Sequence, residues 1–155
     1  MPKLWPLLLT LLVCFPAACS TPPLDDDHNF GQWAEYVIEQ APPRRDLLNA
    51  CEWAMVAAGY PPGSRDEARG SVTSGWYVRL HPYSKKGRRS QGILKVIPNE
   101  KGEGVILKCR VIAERNMEVN KTMNPGAAEW ERVADEPERA TVLMQHVLSQ
   151  VHITG

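Results

Sequence analysis

Few residues in this chain have types and spacings that could do chemistry. The candidates are four cysteines, four histidines and one run of hydroxyls between glycines. Cys51 and Cys109 would serve as nucleophiles if a neighbouring histidine held either as thiolate. No histidine lies near them in sequence, and both fall on apolar stripes, so activated thiols are not expected. The stretch "RGSVTSGW", residues 69–76, brackets Ser71, Thr73 and Ser74 with glycines. It lacks the Gly-x-Ser-x-Gly elbow that exposes a nucleophile, and it reads as a turn leading into a strand. Asp25, Asp26, Asp27 and His28 are metal-ligand types, but no rigid element fixes their geometry, so a solvated linker is expected there. A phosphate loop, a dinucleotide fingerprint and a His-Glu-x-x-His pair are all lacking. His81 falls at a strand end closed by Pro82. The sequence therefore predicts no catalytic residue, no metal site and no cofactor.

Binding residues are easier to find. Lys85, Lys86, Arg88 and Arg89 crowd one hairpin tip. Against an anionic surface or polymer each contributes on the order of 1 kcal/mol; the plainer reading is solubilising charge on a solvated turn. A second candidate is a sheet face that carries Tyr77, Ile93, Ile97, Ile106 and Ile112 among Arg79, Lys95, Lys108 and Arg110. A solvated face would be more uniformly polar. Either the chain's own N-terminal helix covers it, or an envelope protein or polymer does. Nucleic acid is not an expected partner, because 18 basic residues are balanced by 18 acidic ones.

These residues need elements to hold them. Phe30, Trp33, Ala34, Val37 and Ile38 recur at helical spacing and predict a short helix over 30–40. Leu47, Leu48, Cys51, Ala54, Met55 and Ala58 form the stripe of a stronger helix, with Gly59 as its C-terminal cap. Period-two alternation predicts three strands, around Trp76–Leu80, Ile93–Ile97 and Val105–Ala113, joined by the polar turns "YSKKGRRSQ" and "NEKGEG". Residues 115–134 read as a long connection. Asp135 is placed to cap a last helix, with Pro137 in its first turn and Ala140, Leu143, Met144, Val147, Leu148 and Val151 as its stripe. The expected fold is α+β, a two-layer sandwich. It consists of a three-stranded antiparallel meander with two helices on one face, preceded by the short helix.

The chain opens with Lys3, an apolar run over Leu4–Phe15 and small residues at Ala17 and Ala18, the layout of an export signal. No run reaches the length of a bilayer-spanning helix. Ala17-Ala18-Cys19 followed by Ser20 resembles the lipobox of bacterial lipoproteins, although Pro16 stands where that pattern usually has leucine. The resemblance implies lipidation at Cys19 and a membrane anchor, and Ser20 implies an outer-membrane address in a Gram-negative envelope. Ordinary signal-peptidase cleavage after Ser20 remains the competing reading. The expected organisation is a signal over 1–18, a tether and short helix over 19–43, and a domain over 44–155. Outside the cytoplasm Cys51 and Cys109 would face an oxidant. A bridge between them would add about 4 kcal/mol. The expected function is a lipid-anchored envelope protein that binds or adapts without catalysis. The rivals are an envelope hydrolase with an unrecognised site and a purely structural envelope protein.

Overall fold

The computed structural model describes Gly31 and residues 33–153. The leader, Cys19, the tether with Asp25–His28, and Phe30 lie outside these residues, and so does the side chain of His152. In chain order the elements are β1 (Ala34–Ile38), α1 (Arg44–Ala57), β2 (Ser64–Asp66), β3 (Ser71–Thr73), β4 (Tyr77–Arg79), β5 (Arg88–Pro98), β6 (Val105–Asn116), a single 3-10 turn (Pro125–Ala127), β7 (Trp130–Val133) and α2 (Pro137–Ile153).

The three-stranded meander with two helices on one face is overturned. The seven described strands form one antiparallel sheet in the order β1-β6-β5-β3-β2, with β4 added to β5 and β7 added to β6. Two long strands carry it. β5 and β6 pair along their whole length, from Arg88↔Arg115 to Pro98↔Val105. Their outer edges are too long for any single short strand. On β6, β1 takes residues 105–109 and β7 takes 113–116. On β5, β3 takes 93–95 and β4 takes 88–90.

The expected leading helix is also corrected: Ala34–Ile38 is a strand. Its spacing fits a helix, but Tyr36, Val37 and Ile38 favour extended backbone, and β6 offers an unpaired edge beside it. The C-terminal end of β1 is gripped by the β5–β6 turn. Gly104 has φ +87, and a Cβ there would lie 2.0 Å from the Ile38 carbonyl oxygen. Only glycine permits that approach.

Alternation along β5 and β6 then divides the sheet into two faces. Leu94, Val96, Leu107, Cys109 and Val111 point into the core. They pack with Leu47, Leu48, Cys51, Ala54 and Met55 of α1 and Ala140, Leu143, Met144, Val147 and Val151 of α2. Burying each leucine, valine or methionine of this set stabilises by about 1.5–3 kcal/mol. α1 ends as its sequence suggests: Gly59, at φ +80, donates its N–H to Val56, and Tyr60 donates to Met55. This pair of bonds satisfies carbonyls the helix would otherwise leave open.

Asp135 does not cap α2. Its carboxylate, buried with 8% side-chain exposure, accepts from Arg110 Nε at 2.5 Å and from an Arg132 terminal nitrogen at 2.6 Å. The helix starts one residue later, with the Glu136 carbonyl accepting from Ala140 N–H. A charged acceptor beside two guanidiniums outweighs the smaller gain of a helix cap.

Candidate functional site

The register decides which of the expected binding residues are free to bind. On the sheet face away from the core, Arg110 stands opposite Ile93, and Lys108 opposite Lys95. Each of these cations has a partner within the fold. Lys108 Nζ lies 2.6 Å from a Glu35 carboxylate oxygen supplied by β1. Arg110 is bound to Asp135. The Lys95 ammonium stands 4.8 Å from the centre of the Trp33 ring, and the Arg110 guanidinium 5.9 Å from it. Gly31 packs directly on that guanidinium, where an added Cβ would come within 2.3 Å. Gly31 and Trp33, just before β1, therefore lie over part of this face, while β1 itself extends the sheet at its edge and is not a covering helix.

Arg89 leaves the hairpin cluster for the same face. It pairs with Glu114, with Nε at 2.6 Å, and its guanidinium lies between the rings of Trp76 and Trp130 at 4.3 and 4.7 Å. Such a stack holds β4, β5 and β7 together through charge and ring quadrupole. The alternation read from the sequence groups Tyr77 and Arg79 with Ile93. The register instead pairs Tyr77 with Ser90 and Arg79 with Arg88, on the opposite face. Alternation supplies two phases and does not say which points inward. Tyr77 packs edge-on to Tyr60 at 6.2 Å, with Arg139 over both rings.

What remains open is one end of the sheet. Arg79 stands opposite Arg88, and Arg88 opposite Arg115, so three arginines form a row across β4, β5 and β6, which Glu131 of β7, opposite Arg115, closes at one end. Like charges directly opposite destabilise a sheet, and among the described residues none of the three has an ion-pair partner within 4.0 Å. Arg115 Nε is buried without a hydrogen-bond partner. Lys85 and Lys86 flank the row in the turn between β4 and β5, where Lys85 takes a left-handed φ of 59°.

The long connection docks onto the same end. Asn116, with 1% exposure, closes the loop over 117–129: its Oδ1 accepts from the N–H groups of Glu118 and Glu129 at 3.0 and 3.1 Å. Its own N–H donates to the Gly87 carbonyl, and Thr122 Oγ1 donates to the Pro82 carbonyl at 3.0 Å. Hairpin and loop thus make one surface. It exposes Tyr83, Val119 and Met123 beside the basic residues and Lys121. Glu118, Glu129 and Glu131 are the acids of this end. The Glu118 carboxyl is held below its ordinary range by the N–H groups of Asn120 and Lys121, so its charge is spent on its own loop.

Sequence reasoning missed Arg115, Asn116 and Lys121. One signal was present: Cys109, Val111, Ala113 and Arg115 share one phase of β6, so a charge at its end marks where the core stops. The remaining candidates are structural. Ser74 Oγ accepts from Gly92 N–H and donates to the Gly75 carbonyl. His81 Nδ1 accepts from Tyr83 N–H at 3.2 Å, with the Tyr83 ring against its own. No cluster of metal-ligating side chains is found among the described residues. Cys51 and Cys109 are unbonded and buried. Burial pushes both thiols up to about 12; the nearby charge of Glu52 adds to this at Cys51, and that of Cys51 adds to it at Cys109.

No protein-family model matches the chain, and no curated protein matches it either.

Proposed function

We propose that this is an exported cell-envelope protein, acylated at Cys19, that works as a non-catalytic binding module for anionic envelope material. The observation that carries the reading is the row Arg79, Arg88 and Arg115. The cations of the opposite face are matched within the fold by Glu35, Asp135, Glu114 and the Trp33 ring. Keeping three like charges side by side costs stability, and an external anion would offset that cost. Oxidation of Cys51 to Cys109 after export belongs to the same reading.

The test has two arms. Metabolic labelling with a palmitate analogue should mark the full chain and spare a Cys19→Ala variant. A photoreactive group placed at Tyr83 should then capture envelope material from intact cells. Lys85→Glu, Lys86→Glu and Arg88→Glu together should reduce that capture. Label retained in Cys19→Ala would refute the anchor, and capture unaffected by charge reversal would refute the binding end.

A further inference from the structure

We infer that the arginine-row end of the sheet docks on the anionic headgroup layer of the membrane that holds the Cys19 acyl chains, so that the domain lies on the bilayer. The inference deepens the acyl-anchor reading above and rests on it. Three features support it: charge, apolar content and the path of the chain.

The charge is planar. Adjacent strands place Arg79, Arg88 and Arg115 about 5 Å apart in one line, with Lys85 and Lys86 in the turn beside them. A line of cations along a sheet end matches a sheet of phosphates better than a single enclosed anion. A hollow at this end, between Pro82 and residues 120–124, is open to solvent. Screening confines the attraction to about one Debye length, roughly 8 Å, so the end must touch the headgroups to gain from them.

The apolar groups suit the same interface. Tyr83, at 70% exposure, and Met123, at 57%, project from the hairpin and from the loop docked on it at this end. A tyrosine with an apolar body and a polar tip settles at headgroup level. Neither side chain would remain so exposed for packing within the fold.

The path of the chain brings the anchor to the same end. Ile38 pairs with Val105 and Ala34 with Cys109, so the chain preceding β1 comes from the direction of Arg115. Gly31 still lies on the Arg110 guanidinium. From Arg110 to Arg115 along β6 is roughly 17 Å. Residues 20–30, fully extended, span up to roughly 36 Å. Cys19 can therefore sit in the plane that the arginine row faces, and a second contact adds to acyl anchoring.

The acylated full-length protein is to be reconstituted in vesicles of phosphatidylcholine alone and in vesicles with about a third phosphatidylglycerol. Amide hydrogen exchange is then followed in residues 80–88 and 117–124. Both membranes hold the anchor, so only docking differs between them. Slower exchange of these segments on the anionic vesicles, lost in about 0.5 M salt, supports the inference. The Lys85→Glu/Lys86→Glu/Arg88→Glu variant should lower the docked-to-undocked ratio at least about fivefold per charge. Arg79→Glu alone should lower it in the same direction, with unchanged exchange in α1 and α2 as the check on folding. Equal exchange on both membranes, with the protein still vesicle-bound, overturns docking and leaves the anchor intact. Failure to associate with either membrane overturns the anchor and docking with it. Protection by delipidated envelope polymer but not by anionic vesicles overturns the lipid assignment.

Discussion

Asp135 bears the charge of two arginines, and each partner depends on it differently. Arg110 has 8% side-chain exposure and Arg132 27%. Asp135→Ala leaves a buried guanidinium without its carboxylate, and the expected cost is about 3–5 kcal/mol in urea unfolding. A helix cap lost at the same position would cost only about 1 kcal/mol, so the measured value tells the two roles apart. The two thiols make a prediction about pH. Their pKa values are raised in the folded chain, from 9.0 to about 12. Between these values the unfolded chain has released protons that the folded chain retains. Stability is then fully present below about pH 9 and falls as pH rises toward 12. Urea unfolding of the reduced protein should show this slope, and the Cys51→Ala/Cys109→Ala variant should show less of it. The same burial should keep both thiols slow toward alkylating reagents until the chain unfolds.

Among the elements, the loop over 117–129 is closed at its base by the Asn116 side chain. Asn116→Ala strands two backbone N–H groups and should cost about 2 kcal/mol. Hydrogen exchange should quicken across 117–129 while the strands β5 and β6 stay protected, which mass spectrometry of the fragments would resolve. The two main helices were legible because their stripes are long: Leu47 to Met55 and Ala140 to Val151 are the residues found buried. The short strands were not. Ser64–Asp66 and Ser71–Thr73 are three residues each, with Val72 as the one core contact between them. Trp130–Val133 lay inside a stretch with no sustained period. Their strand character comes from the unpaired edges of β5 and β6, a tertiary cause that local pattern does not carry. The candidate site was half legible for a related reason. Lys85, Lys86, Arg88 and Arg79 stand out as basic residues, but their grouping with Arg115, and the loss of Arg89 to a stack between two indoles, are set by register.

At the scale of the molecule, the sheet does not begin at the first strong helix. β1 precedes α1, covers the edge of β6 at Leu107 and Cys109, and buries Ile38. A chain starting at Ala41 should lose at least about 2 kcal/mol from Ile38 alone and should aggregate through the bared edge. A chain starting at Gly31 should melt as the full-length protein does; circular dichroism and light scattering would compare the two. The placement of β1 also determines how the molecule bears mechanical load. A pull on the N-terminal chain directed toward the Arg115 end runs parallel to β1. It strains the hydrogen bonds to β6 in shear, all together, instead of peeling them one by one. Such a pull would thus meet the ladder from Ala34 to Ile38 as a single clasp, with the Lys108–Glu35 pair across it.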